Sequence, residues 1–449
     1  MDKFIKLLSL LLVRNKMEKT IVKVITGIIF TLLLSSTITS ADSIKNLDVS
    51  TADEAIPIVD PTIAKILNRI DEDLLGEYLK TIVDFGPRVT GTYSCEKASE
   101  YIYQQFQKMG LKTRYHNWTA FGNKYHPHLF KCRNVVATLP NLTSDKIIIF
   151  NAHYDTAANS PGAQDNGAGT AAVIAAAYAL SHFEFKHTLK FIAFSGEEIG
   201  LVGSHEYAKE AYERNDNIVI DINADCIGYA KTTLGGKTMR LHFSEDAEWI
   251  LNLTKKLSNQ YDIGIEIIIP WLLDKEDRGY SDHNSFADYG YEAVGFWGGE
   301  GTPYGHTPYD TFDTINLSYL VKTTRIITGT LAYLANLEDF YPQIRIESPK
   351  FGKLYFEGRK KIDIGDLKTI VVDDIWIWAD ERASDVPIKR TEFYYDKRLV
   401  YTDTEAPFKW HFNKLSIRKH RITVIAYDEL GRKSKDWRDI RFINLLKRI

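Results

Sequence analysis

Two apolar patterns alternate between residues 66 and 342. Short runs rich in valine and isoleucine, "RNVVATL" (133–139), "KIIIFNAH" (146–153), "TLKFIAFS" (188–195) and "NIVIDINAD" (217–225), are each too brief for a core helix and bounded by polar or turn residues. Around them lie stretches with apolar residues at helical spacing: "LLGEYLKTIVDFG" (74–86), "SCEKASEYIYQQFQKMG" (94–110), "NGAGTAAVIAAAYALSHF" (166–183), "GLVGSHEYAKEAYE" (200–213), "AEWILNLTKKLSNQY" (247–261) and "LSYLVKTTRIITGTLAYLANLEDF" (317–340). Ser94 is the expected cap of the second, and Gly110 closes it. Strands apolar on both faces and separated by helices predict an α/β domain over 66–342, a mostly parallel sheet covered by helices.

After Pro342 the texture changes. "TIVVDDIWIWAD", "RTEFYYDKRLVYTD", "APFKWHF" and "RKHRITVIAYDELGRKSKDW" alternate at period two and are rich in aromatic and β-branched residues. That alternation predicts a small all-β sandwich over 343–449 and assigns its aromatic residues to the sandwich core rather than to a ligand cage. Upstream, residues 42–65 lack steady periodicity and carry Pro57 and Pro61, the mark of a linker or pro-segment. Within residues 1–41, lysines precede an apolar stretch from Val24 to Leu34 and small residues ending at Ala41. This reads as a secretory signal or, if uncleaved, an N-terminal anchor, with Met1 or Met17 as the start.

The composition narrows the partners. At 449 residues the chain is long enough for two or three domains, and 56 basic against 59 acidic residues leave a net charge of -3. That balance gives no reason to expect nucleic acid or an anionic membrane surface as a partner. Three cysteines form no disulfide framework; a single Cys95–Cys132 bridge and buried free thiols both fit. Sequons at Asn117, Asn141, Asn252 and Asn316 suit an exported surface, so the expected location is secreted or extracellular.

Candidate chemistry gathers at strand ends, where open α/β sheets bind ligands. His153 and Asp155 follow "KIIIFNA", Asp165 precedes the alanine-rich helix, Glu197 and Glu198 follow "TLKFIAFSG", Asp225 ends "NIVIDINAD", and His306 lies in "YGHTPYDTFD" after "EAVGFW". Taken singly each has an ordinary role: Asp165 as a helix cap, the glutamates as a solvated first turn, His306 in a turn. Together they supply imidazole and carboxylate donors for two divalent cations, and of two adjacent glutamates one can bind metal while the other moves a proton.

The segments "HYD" (153–155), "GAQDNGAGTA" (162–171), "SGEEIGLVGS" (195–204), "NADCIGY" (223–229), "SDHNSF" (281–286) and "HTPYDTFD" (306–313) occur in this order and span most of 66–342. In them the chain resembles the co-catalytic zinc aminopeptidases of the aminopeptidase Y and bacterial leucyl aminopeptidase type. The resemblance implies two zinc ions, one held by His153 and Asp225, the other by Glu198 and His306, with Asp165 bridging. It implies Glu197 as general base and Asp155 as the residue that orients His153, a role metal-bound histidines commonly require. It assigns "SDHNSF" to loop support, with Ser281 or Asp282 as a helix cap and His283 outside the coordination shell. Tyr280 and Tyr304 are candidate oxyanion donors, and Asp310 a support for His306. The tail is similar to bacterial immunoglobulin-like domains on secreted enzymes, which implies tethering, spacing or cell-surface contact. The implied function is a secreted zinc exopeptidase acting on peptides, foremost an aminopeptidase. The alternatives are a carboxypeptidase or dipeptidase, for which Arg278 is the candidate carboxylate partner, a single-zinc glutaminyl cyclase, and a non-catalytic receptor-like ectodomain.

Overall fold

The four apolar runs form the middle of an eight-stranded sheet. The computed structural model describes residues 59–141, 143–243, 248–269, 280–365, 368–382 and 385–444. The signal or anchor segment, most of the 42–65 stretch and Arg278 lie outside the described residues. The strands are β1 (Lys112–Phe121), β2 (Leu129–Leu139), β3 (Ile147–His153), β4 (Thr188–Phe194), β5 (Ile218–Asp225), β6 (Thr238–Phe243), β7 (Glu266–Ile268) and β8 (Ala293–Gly298), in the order β1-β2-β4-β3-β5-β8-β6-β7. The central neighbours β4, β3, β5 and β8 run parallel, whereas β1, β2 and β6 pair antiparallel at the flanks. From β3 the chain crosses to β4 on one side and then to β5 on the other, so a crevice opens beyond the carboxyl ends of these three strands.

Burial explains why these runs became strands and why the helix after β3 is made of small residues. Every residue of β5 is buried. Helix Ala168–Leu180, almost wholly buried, lies so close that a Cβ on Gly169 would strike the carbonyl of Ala224, one residue before Asp225. Three expectations at element ends change. Thr92, not Ser94, caps helix Tyr93–Lys108, accepting from the Cys95 amide at 3.4 Å. Helix Pro61–Leu67 begins inside the stretch read as linker: Asp60 caps it at 2.7 Å and Pro61 presets its first turn, but seven residues carry too little periodicity to see. Strands were not expected at β1, β6 or β7: β1, an edge strand, is largely polar with half its positions exposed, and β7, although it lies in the apolar run "IEIII", is only three residues long. The Sγ atoms of Cys95 and Cys132 meet at 3.7 Å as free thiols.

The C-terminal part holds β9 (Ile344–Ser348), β10 (Lys353–Phe356), β11 (Arg359–Asp363), β12 (Thr369–Val372), β13 (Ile375–Glu381), β14 (Ile388–Tyr395), β15 (Arg398–Asp403), β16 (Phe408–Phe412), β17 (Lys419–Asp428) and β18 (Lys433–Ile443). They form a seven-stranded sheet, β11-β10-β12-β18-β17-β14-β15, and a three-stranded sheet, β16-β13-β9. Ile346, Ile377, Phe393, Phe412, Val424 and Phe442 fill the space between. Not all aromatics go inside: on β13 the core takes Ile375, Ile377 and Ala379, while Trp376 and Trp378 face outward.

This part is joined firmly to the α/β part, and residues 58–449 cohere as one unit. The buried Arg345 guanidinium lies 3.8 Å from the ring centre of Tyr212 and 5.1 Å from that of Tyr291, and Phe351 packs among Tyr212 and Tyr289. Lys146 pairs with Asp385 at 2.8 Å, and Gln343 donates to the Val219 carbonyl. Such cation–π contacts contribute about 0.5–2 kcal/mol when desolvated. Arg345→Ala should therefore lower the thermal midpoint by a few degrees in calorimetry, with both parts still unfolding in one transition.

Candidate metal centre

Three strand ends and two loops deliver the predicted donors to the crevice. His153 is the last residue of β3 and Asp225 the last of β5; Glu197 and Glu198 sit in the turn after β4. Asp165 lies in the short helical turn Ala163–Gly167, and His306 in the loop between β8 and helix Leu317–Leu334. His153 Nε2 stands 3.3 Å from Asp165 Oδ1 and 3.7 Å from Asp225 Oδ1. His306 Nε2 stands 3.0 Å from Asp165 Oδ2 and 3.2 Å from Glu198 Oε2. Asp165 thus presents one oxygen to each imidazole. All seven predicted residues come together here.

The backbone is shaped for this approach. Gly162 has φ +64°, and a Cβ there would strike Thr156 and come within 2.6 Å of the Asp165 carbonyl. Gly196, with φ +82°, turns the chain just before the glutamates. Two non-glycine residues accept left-handed backbone at the donors themselves: Cys226, next to Asp225, at φ +54°, and His306 at +59°.

Other residues hold the donors still. Arg88 is fully buried and spends its guanidinium on carbonyls, donating to Tyr154 O at 2.7 Å, Pro161 O at 2.7 Å, Ile82 O at 3.2 Å and Gly162 O at 2.9 Å. It ties the segment after His153 to the one before Asp165; burial lowers the guanidinium pKa to about 10. Asn166 donates to Ala224 O at 2.8 Å and accepts from the Gly169 amide at 3.0 Å, so the capping role foreseen for Asp165 falls to its neighbour. Asp310 accepts from the amides of Gln164 at 2.8 Å and Asp165 at 3.0 Å, and so supports the central aspartate rather than His306. Asp155 meets His153 Nδ1 twice, through its main-chain oxygen at 3.1 Å and its carboxylate at 3.7 Å. The shorter contact is the main-chain one. Its carboxylate accepts from Thr90 Oγ1 at 2.7 Å and from the amides of Glu197 at 3.3 Å and Glu198 at 3.4 Å.

Asp282 is no cap. Helix His283–Asp288 receives no side-chain bond from it, and both its carboxylate oxygens are buried without a hydrogen-bond partner. Burial pushes its carboxyl up to about 7, and its charge adds to the field on Glu197. The His283 ring packs edge-on against Trp297 at 5.4 Å. Tyr304 packs edge-on against Tyr229 at 6.0 Å, whereas burial and then the Glu197 charge raise the phenol of Tyr280, which sets that ring in the field of the glutamate. Arg88, Thr90 and Asp282 were not singled out from sequence in these roles; "FGPRVTGT" lies upstream of any donor and offered no metal-ligand pattern.

Electrostatics marks the crevice as short of positive charge. Burial raises Glu197 well above the carboxylate range, with Asp225, Asp282 and Glu198 adding to it against His153. Burial, with the Asp165 charge behind it, pushes Glu198 up to about 7. Burial alone would lower His153, but Glu197, Asp155, Asp165 and Asp225 outweigh it and raise its imidazole. The hydrogen bond to Asp165 takes His306 up to about 9.

The donor set fits cations. Three groups, His153/Asp165/Asp225, Asp165/Glu198/His306 and His153/Glu197/Glu198, each bring donor atoms within 4.8 Å of one another. Donors tetrahedrally arranged at zinc distances stand about 3.4 Å apart, close to the spacings seen here. His153 Nε2 and Asp225 Oδ1 are buried with no hydrogen-bond partner, although acids or imidazole lie within 4 Å. Atoms so placed are oriented toward a shared point rather than toward each other.

Residues 134–331 match the family described as peptidase family M28. The chain is 25% identical over 287 residues to a probable leucine aminopeptidase of Arthroderma otae, covering 60% of this chain and 75% of that protein. A zinc aminopeptidase from Bacillus subtilis superposes with a TM-score of 0.52 at 15% identity, covering 60% of this chain and 96% of that one. A glutaminyl cyclase from Fimbriiglobus ruber superposes equally, at 0.52 and 18% identity, over 59% of this chain and 95% of its own. Likeness at such identity shows the fold, which a peptidase and a cyclase share. With the family match over the strands that carry the donors, the α/β part is a metallopeptidase domain on the zinc aminopeptidase fold, similar to peptidase family M28 over 134–331.

Proposed function

We propose that the chain is a two-zinc aminopeptidase that removes N-terminal residues from peptides. The observation that carries this reading is the pair of donor groups joined at Asp165: His153 and Asp225 on one side, Glu198 and His306 on the other. Zinc bound at such donors supplies Lewis acidity, lowering the pKa of water and polarising a carbonyl. The chain supplies the rest. Glu197 stands half-buried beside the donors, where desolvation raises its carboxyl and so makes its ionised form a stronger base, as suits a group that takes a proton from the attacking water and gives it to the leaving amine. Asp155 holds the His153 ring through Nδ1, leaving Nε2 for the cation. Tyr280 and Tyr304 remain the candidates to donate to the developing oxyanion. Export is part of the reading, supported by the lysine-flanked apolar segment ahead of residue 41.

The rivals have less support. A carboxypeptidase needs a cation for the substrate's terminal carboxylate; among the described residues Arg88, beside the donors, is committed to carbonyls, and the candidate Arg278 lies outside the described residues. A single-zinc cyclase would not need both imidazoles at Asp165, and a receptor-like ectodomain would not need the donors.

Glu197→Gln should keep its zinc by elemental analysis yet lose roughly 10²–10⁴-fold in kcat, the scale of a lost general base. Asp165→Asn should lose zinc itself. Wild-type turnover in the glutamine variant would remove Glu197 from the reaction. Acetylation of a peptide's amino end should abolish cleavage. Release of the carboxyl-terminal residue from the blocked peptide would establish the carboxypeptidase instead, and cyclisation of N-terminal glutamine with about one zinc per chain would establish the cyclase.

A further inference from the structure

We propose that the outward face of β13, together with the cleft between it and the edge strand β15, is an oligosaccharide-binding site centred on Trp376, Trp378 and Tyr401. The observation that requires explanation is the outward aim of two indoles on one strand. Trp376 is 53% exposed and Trp378 41%, at successive outward positions of β13, about 7 Å apart along the strand. Large aromatic surface left in water side by side marks a contact surface. Beside them a cleft of about 470 Å³ runs between Trp376, the edge strand β15 with Tyr401 and Asp403, the turn at Glu405, and β16 with Lys409 and His411. That volume lies in the range of small-ligand pockets.

The indole platform is fixed. His411 opposes Trp376 in register and stacks on it at 4.7 Å with 26° between planes, and its Nε2 bonds to Asp374 at 2.9 Å. Asp403 holds the turn, accepting from the amides of Glu405 at 3.3 Å and Lys409 at 2.9 Å. The peptidase part covers the other edge of this face, where Arg345 on β9 opposes Asp380, while the Trp376 indole stays half exposed with His411 stacked on it and Lys409 Nζ 5.6 Å from its ring centre.

The chemistry of the lining selects the ligand class. A pyranose ring presents an apolar C–H face ringed by hydroxyls that both donate and accept. Aromatic faces with negative quadrupoles suit the first, and a surround of carboxylate, ammonium and phenol groups suits the second. The middle of a protein–protein interface is depleted of charge, whereas Glu405 and Lys409 stand in the cleft itself. The site is separate from the metal centre and independent of the aminopeptidase reading.

Affinity electrophoresis of the full chain through gels containing hydroxyethyl cellulose, xylan, galactomannan or glycol chitin tests this. At least one polysaccharide should retard the chain. In the double variant Trp376→Ala/Trp378→Ala the affinity should fall at least tenfold, with zinc content and thermal midpoint unchanged, because both side chains are outside the core. A quench or shift of tryptophan fluorescence on adding the same polysaccharide to the parent chain gives a second readout that needs no variant. Retardation by none of the four, or retardation undiminished in the double variant, overturns the proposal. Sedimentation showing a dimer that the double variant abolishes, with no polysaccharide bound, would overturn it in favour of an interface between copies.

Discussion

Mutual repulsion among carboxylates is the constraint around which the α/β part is arranged. Asp155, Asp225 and Asp282, buried, and Asp165, Glu197 and Glu198, partly buried, crowd one crevice, with the buried imidazole of His153 and the exposed one of His306 among them. Two like charges about 4 Å apart cost about 4 kcal/mol at the effective dielectric of a protein, so the crevice must acquire positive charge. Without metal it does so with protons: Glu198 and Asp282 are pushed up to about 7, Glu197 is raised well above the usual carboxylate range, and His306 is raised to about 9. Burial is the largest cause for the three acids, with neighbouring carboxylates adding to it, and the hydrogen bond to Asp165 is the largest for His306; a divalent cation seated among the donors displaces the protons that these shifts reflect. The site is therefore defined as much by what it repels as by what it holds.

Such a site keeps its shape only if the backbone around it is tied down independently of the acids. Arg88 does this with a buried cation that forms no direct carboxylate pair and instead gathers the carbonyls of Tyr154, Pro161 and Gly162. Its charge still acts on Asp155, Asp310 and Asp165 from a short distance. Asp310 and Asn166 fix the turn bearing Asp165 through main-chain amides and a carbonyl, and Thr90 fixes Asp155. The left-handed backbone at Cys226 is held on both sides: Asn166 Oδ1 accepts from its amide at 3.3 Å, and the Gln164 side chain and the Gly298 amide donate to its carbonyl.

His153, Glu197, Glu198 and Asp225 were legible in sequence because each is a strong ligand type at or just past the end of an apolar β-branched run, and run ends in a parallel sheet share one edge; Asp165 and His306 stand in loops that follow such runs. The supports were not. An arginine in "FGPRVTGT" reads as surface until the carbonyls it meets are known, and Asp282 at a helix start reads as a cap until its backbone is seen to be helical already. The β1 strand escaped notice because edge strands need no apolar run. On β13, "IWIWAD" alternates between two apolar sets, so period-two reasoning could not say which parity faces inward, and the smaller set, Ile375, Ile377 and Ala379, went to the core.

The boundary at 343 is real as a change of pattern but not as a seam in packing, and the two faces of the large sheet show why. One face is covered thickly, by helices Glu72–Asp84, Tyr93–Lys108, Ala168–Leu180, Glu248–Gln260 and Leu317–Leu334. The other rests on helix Val202–Arg214 and the short helix His283–Asp288, and its apolar cluster is completed by Phe351 from the β-rich part. Tyr212, Tyr289 and Tyr291 ring that contact, and Arg345 lies over two of them. An α/β part ending at 342 would present these tyrosines to water, so the β-rich part acts as the missing cover of a sheet that its own helices leave half closed. Attached in this way, it carries the outward face of Trp376 and Trp378 as a rigid extension of the peptidase.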